Sequence, residues 1–199
     1  MFYSPLLVFL SVLIYGLVHS LLASLWAKGR ARHWMGTGVD RWYRLAYNLF
    51  ATVSLLPVLA LPALLSDQRL YSIPPPWIYL TLSGQFLAVL ALVAGLLQTG
   101  VWSFLGLRQL VGSREEPSSL NVSGLYRHVR HPLYTAGLAL IWLTPVMTFN
   151  LFALNLGLTV YLVLGAMLEE RKLKREFGEE YTRYQVRTPM LIPRFPKKD

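Results

Sequence analysis

The sequence predicts an all-α integral membrane protein of five transmembrane helices followed by a cytoplasmic amphipathic helix. Three observations predict it. The 199 residues are 54% apolar and only 15% charged, with a mean hydropathy of +0.43, whereas a soluble domain is about 45–50% apolar and about 25% charged. Five stretches approach the length of about 20 apolar residues that a bilayer-spanning helix needs. The basic residues fall on one side of those stretches: of 19 Lys and Arg, all but Arg69 lie in connections on the face that also carries the C-terminal tail. Disorder is excluded by the apolar content. The absence of cysteine excludes a disulfide scaffold and any cysteine-based metal or nucleophile site.

The first expected span is Tyr3 to Ala27, interrupted only by His19. It lacks a basic leading region, and its apolar run exceeds that of a signal peptide. The second is Leu45 to Leu65, with Pro57 and Pro62 predicting kinks. The third, Trp77 to Gln98, carries a stripe of Gly84, Ala88, Ala91 and Gly95, which suits close helix packing. The fourth is Pro132 to Thr148, short but uncharged. The fifth is Leu151 to Leu168. From Glu169 to Tyr184 the tail reads as an amphipathic helix with Leu173, Phe177, Tyr181 and Tyr184 on one stripe, and Pro189, Pro193 and Pro196 end it. The positive-inside rule then puts the N-terminus outside and the C-terminus in the cytoplasm, as in a bacterial inner membrane. The chain reads as one membrane domain, with N-terminal helices over 3–98 and a core over 104–193 built on the hairpin 132–168. The net charge of +9 reads as topology and attraction to anionic lipid, not nucleic-acid binding.

Polar groups gather in two places. One is Tyr126-Arg127-His128-Val129-Arg130-His131-Pro132-Leu133-Tyr134, opening the fourth span. The other is Glu169-Glu170, closing the fifth. A short turn near Asn150 would make these spans an antiparallel hairpin, bringing His131 and Tyr134 near Glu169. Pro132 suits the first helical position, with His131 at the cap. Free backbone N–H groups there, with Arg127 and Arg130, would receive a carboxylate or phosphate. Glu169 would receive an ammonium or ribose hydroxyls. The same residues also read more simply: the arginines as interfacial charges, Tyr126 and Tyr134 as interfacial aromatics, and His131 as a helix cap.

The stretch GLYRHVRHPLY, the apolar hairpin and then EERKLKREFGEEYTRYQVRTPMLIP resemble the isoprenylcysteine carboxyl methyltransferase-type membrane methyltransferases. The resemblance covers about Phe104 to Pro193. Within that group FLGLRQL, LTPVMTFNLFA and PMLIP are similar to bacterial methanethiol S-methyltransferases. HSLLAS and RWYRLAYNLF are similar to those proteins too, and also to a membrane family that includes zeta-carotene isomerase, in which a membrane histidine can bind haem.

The resemblance implies S-adenosylmethionine as cofactor. Tyr126, His131, Pro132, Leu133 and Tyr134 would line its site, Glu169 would hold it from the facing helix, and Gln109 and Leu120 would contribute from the preceding loop, where Ser118 replaces the usual histidine. His131 and Glu169 would carry the chemistry, His131 first as a contact to the cofactor carboxylate and second as a base for a thiol. The prenylcysteine enzymes place an arginine where this chain has Gly165. A carboxylate substrate would lose its counter-charge there, so the expected acceptor is small or lipophilic, a thiol being the first choice. The partners expected are the lipid bilayer and that acceptor. A haem protein using His19, prenylcysteine carboxyl methylation, and a non-catalytic scaffold or small transporter are the rival readings.

Overall fold

The computed structural model describes residues 3–100 and 120–193. Gln109, proposed for the cofactor site, and Ser118 lie outside the described residues. Seven α-helices occur among them: α1 (Tyr3–Ala23), α2 (Leu25–Met35), α3 (Val39–Leu64), α4 (Trp77–Thr99), α5 (Pro132–Trp142), α6 (Phe149–Phe177) and α7 (Glu179–Arg187). A 3-10 turn covers Gly124–Arg127, and two short strands, β1 (Arg69–Ser72) and β2 (Val146–Thr148), pair antiparallel. The protein is thus a helical membrane fold with a minimal sheet added. Four helices, α1, α3, α4 and α6, have the length and apolarity to cross a bilayer.

The expected fourth span is corrected. Helix α5 has 11 residues, a rise of about 16 Å at 1.5 Å per residue, roughly half the hydrocarbon thickness. Thr144-Pro145 stops it. A residue before proline is pushed out of the helical region, and the Thr144 hydroxyl donates to the Ile141 carbonyl at 2.9 Å. The chain then turns extended into β2. Two further boundaries differ from expectation. The first span ends at Ala23, because the Ser24 hydroxyl donates to Leu21 O at 2.6 Å and accepts from the Ala27 N–H, capping a new helix. The helix expected from Glu169 is the continuation of α6. It breaks at Gly178, whose φ of 55° is open to glycine at little cost, before α7.

Contacts gather the described chain into two compact units, and α6 contributes its first half to one and its second half to the other.

The first unit comprises residues 3–72, 99–100 and 146–161. Its core is Val8, Val12, Ala153 and Leu154, flanked by Phe9, Val58, Leu61, Leu65, Leu151 and Leu158. A Cβ on Gly157 would lie 3.0 Å from Val12, so the small residue lets α1 and α6 approach closely. Asp67 and Asn150 join the helix ends. The Asn150 side-chain amide donates to Pro62 O and Ser66 O at the end of α3, while its backbone N–H donates to the Asp67 carboxylate at 3.1 Å. These bonds satisfy carbonyls and a donor that helix termini otherwise leave bare, and they start the β1–β2 ladder.

The second unit comprises residues 73–98, 120–145 and 162–193. The small-residue stripe of α4 packs on α5: a Cβ on Gly84 would meet Leu143 at 2.7 Å and one on Gly95 would meet Leu133 at 2.8 Å. The Gln85 amide donates to Leu140 O at 2.9 Å across the same contact. At the other end of α4, Gln98 accepts from the Leu125 N–H. It abuts Gly124, where φ is 58° and no Cβ fits. The 3-10 turn carrying Tyr126 is thereby fixed to α4.

Candidate functional site

The second unit brings the two sequence clusters together. Pro132 is the first residue of α5 with His131 at its cap, and the His131 side chain makes no capping bond to the helix. The imidazole lies instead between two carboxylates: Nδ1 is 3.6 Å from Glu169 Oε2, and Nε2 is 3.3 Å from Glu170 Oε1. Its ring stacks on Tyr134 with centroids 5.3 Å apart. The Tyr134 hydroxyl donates to Glu169 Oε2 at 3.1 Å. His131, Tyr134 and Glu169, separated by up to 38 positions, thus form one polar cluster at the N-terminus of α5.

The adjacent glutamates differ sharply. The Glu169 side chain is 46% exposed, whereas that of Glu170 is 13% exposed. Glu170 accepts from Arg130 Nε at 2.6 Å and from the Gln185 amide at 3.0 Å. Arg130 also donates to Gln185 O and Thr188 O. Against the expectation that Arg130 would receive a ligand anion, its charge is paired with Glu170 and its Nε and Nη1 donors are already engaged. Arg127 is exposed at the end of the 3-10 turn.

The other sequence-proposed residues take distinct places. Tyr126 offers its backbone carbonyl to the Tyr184 hydroxyl at 2.6 Å. The Leu133 side chain lies against Gly95 of α4. Pro132 is buried, and Leu120 is half-buried in an irregular segment. The sequence offers Glu170 only as half of the Glu169-Glu170 pair and Tyr184 only on the tail's apolar stripe, and it gives no sign of Gln185. The EE pair displayed Glu170 in plain view, but nothing in one dimension tells which glutamate is sealed.

Helix α7 lies beside this cluster. Tyr181 is 1% exposed, and its hydroxyl has no hydrogen-bond partner among the described residues. Burial, then the Glu170 charge, pushes the Tyr181 hydroxyl well above the usual phenol range. The Tyr184 hydroxyl is pushed up to about 12, chiefly by burial, with Arg130 pulling it down and Tyr126 and Glu170 raising it. Both phenols therefore stay neutral donors at ordinary pH.

In the first unit His19 is held by tyrosines. Tyr161 Oη is 2.6 Å from Nδ1, and Tyr47 Oη is 2.6 Å from Nε2. Both ring nitrogens are thus engaged, and iron ligation by either would displace a tyrosine hydroxyl. No group of three or more His, Asp or Glu able to hold a metal occurs among the described residues.

Fold and site together define a class: a multi-pass helical membrane protein carrying a half-exposed carboxylate, a buried imidazole and a helix N-terminus in one cluster. The chain is 40% identical over 84 residues to methanethiol S-methyltransferase 1 of Bradyrhizobium diazoefficiens, covering 42% of this chain and 30% of that protein. It is 37% identical over 97 residues to the methanethiol S-methyltransferase of Crocosphaera subtropica, 47% of this chain and 38% of that one. It is 44% identical over 69 residues to the enzyme of that name from Pseudomonas deceptionensis, 35% of this chain and 26% of that one. The matched stretch thus spans about a third of the length of these curated relatives. They support the resemblance to membrane methyltransferases. No protein-family model matches the chain, and no solved structure does.

Proposed function

We propose that this chain is a membrane methyltransferase that transfers the methyl group of S-adenosylmethionine to a small thiol. The observation that carries the reading is the meeting of Tyr134, His131 and Glu169 at the N-terminus of α5. The donor set suits the cofactor's zwitterionic end and sugar. Glu169 keeps exposed acceptor capacity for an ammonium or ribose hydroxyl. The start of α5 is the positive end of a helix dipole, which favours a carboxylate nearby, although the Arg130 and His131 N–H groups are taken by Pro189 O and Met190 O. When bound, the cofactor supplies a methyl group already activated on a sulfonium.

The protein's work is then mainly positioning. Tyr134 fixes the Glu169 carboxylate by its hydrogen bond. The stacked His131 ring fixes Tyr134 in turn and adds a second contact to Glu169. Leu133, locked against Gly95, sets where the first turn of α5 lies. A thiol acceptor reacts as thiolate, and a dry site favours its attack because charge is neutralised in the transition state. His131, enclosed by two carboxylates, serves better as a positioning and cofactor-contact group than as the thiol's base.

Two observations support a thiol as acceptor. The relatives named above are methanethiol S-methyltransferases. At Gly165 a side chain would meet nothing within 4 Å, and no basic residue stands there to neutralise a prenylcysteine carboxylate. The orientation we propose keeps the N-terminus outside and the cluster on the cytoplasmic side, where the cofactor is made. The test is a product screen with purified protein in detergent: methanethiol with S-adenosylmethionine yields dimethyl sulfide, while prenylcysteine carboxylates and amines yield no methylated product. Methylation of a carboxylate in preference to the thiol would overturn the acceptor assignment.

A further inference from the structure

The Glu170 and Arg130 side chains bond to each other and, from there, to the C-terminal segment. Arg130 Nε and Glu170 Oε1 are 2.6 Å apart with side chains 11% and 13% exposed. From that pair, bonds run to Gln185 Nε2, Gln185 O and Thr188 O. Beside it the backbone N–H groups of Arg130 and His131 donate to Pro189 O at 2.9 Å and Met190 O at 3.1 Å. The Thr135 hydroxyl donates to Leu191 O at 2.7 Å. The segment from Gln185 to Leu191 is therefore strapped along the residues that lead into α5, and the ion pair stands at the middle of the strap. Glu170 also faces His131 Nε2, the ring that reaches Glu169 from its other nitrogen.

From this we infer that Glu170 is a positioning residue, acting through Arg130 and His131 to clasp segment 185–191 against the start of α5 and so fix the wall on which the methyl donor sits. The inference rests on the donor-site reading above. It divides the glutamate pair: Glu169 meets the ligand, and Glu170 holds the frame. A buried pair of this kind stabilises little against an apolar replacement, yet losing one partner strands the other charge, so its value lies in geometry. Gln185 is part of the same device, because its amide satisfies the Glu170 oxygen that Arg130 leaves.

The test uses Glu170→Gln, which removes the charge, and Arg130→Lys, which keeps the charge but loses the fork reaching Gln185 and Thr188. Amide hydrogen exchange of peptides spanning residues 128–135 is read together with S-adenosylhomocysteine affinity and with KM and kcat for S-adenosylmethionine. Both variants are expected to speed exchange at the Arg130 and His131 amides. Both should raise the dissociation constant and KM by at least about tenfold, the loss of one charge-assisted hydrogen bond, with kcat much less changed. Glu169→Gln should weaken cofactor binding and leave exchange at the wild-type rate. Wild-type protection in both variants overturns the clasp. Faster exchange with unchanged affinity, or a fall in kcat with KM unchanged as a shrinking folded fraction gives, overturns the positioning role. If wild-type protein binds no S-adenosylhomocysteine, the donor-site reading and the positioning role fail together, and the exchange data still decide whether the clasp exists.

Discussion

The Tyr134 hydroxyl donates to Glu169 Oε2 at 3.1 Å, joining the first turn of α5 to α6 at the point where the apolar run of α6 gives way to charge. Because His131 stacks on the same tyrosine, the carboxylate is aimed by two rings at once. Tyr134→Phe keeps the stacking and removes the donor. The expected result is a fall in S-adenosylhomocysteine affinity of roughly three- to tenfold, a hydrogen bond worth about 1 kcal/mol, with the thermal midpoint little changed. Calorimetry beside a melt in detergent checks it.

Gly95 sets the seat of Leu133. A Cβ there would approach Leu133 Cδ2 to 2.8 Å and Cγ to 3.2 Å, so Gly95→Ala forces α4 and α5 apart or Leu133 off its rotamer. We expect destabilisation of about 1–3 kcal/mol and weaker cofactor binding. Gly137→Ala is the control: a Cβ there meets nothing within 4 Å, and alanine favours helix by about 0.5–1 kcal/mol. Its thermal midpoint should hold or rise.

Tyr184 gives a pH dependence. Its hydroxyl pKa is raised from 10.0 to about 12 in the folded protein, first by burial. A raised folded pKa means that the folded state holds the proton more tightly. The corresponding stability is fully present below pH 10 and is lost as pH climbs toward 12. Thermal midpoints between pH 9 and pH 12 should fall in wild-type protein and fall less in Tyr184→Phe. Equal slopes would show that the phenol is not held neutral by α7 packing.

His19 is predicted to tie helices rather than bind iron. Its two ring nitrogens meet Tyr161 and Tyr47. Tyr161→Phe and Tyr47→Phe should each cost about 0.5–2 kcal/mol, the range of hydrogen bonds between membrane helices. Protein purified with haem available should show no Soret band. A Soret band that vanishes in His19→Phe would contradict this.

The four long helices were legible because lipid imposes length and apolarity on them, and Pro132 marked the start of α5 by its missing N–H. What escaped were local events in which a single side chain outbids the helix. Ser24 takes Leu21 O and breaks the first span from α2. Thr144 takes Ile141 O and, with Pro145, cuts α5 short. Gly178 turns α7 away from α6. The proximity of His131, Tyr134 and Glu169 followed from an assumed hairpin, and the structure places the three together although α5 is shorter than that hairpin required. The sealing of Arg130 by Glu170 was hidden, because the sequence shows two glutamates and two arginines without showing which pair is dry.

The central claim is that Glu169 grips a methyl-donor nucleoside at the start of α5. Calorimetry of S-adenosylhomocysteine with wild-type protein and Glu169→Ala, both shown folded by their melts, tests it most directly. Saturable binding by wild type, lost in the variant, is the predicted result. Equal affinity in the two proteins would contradict the account.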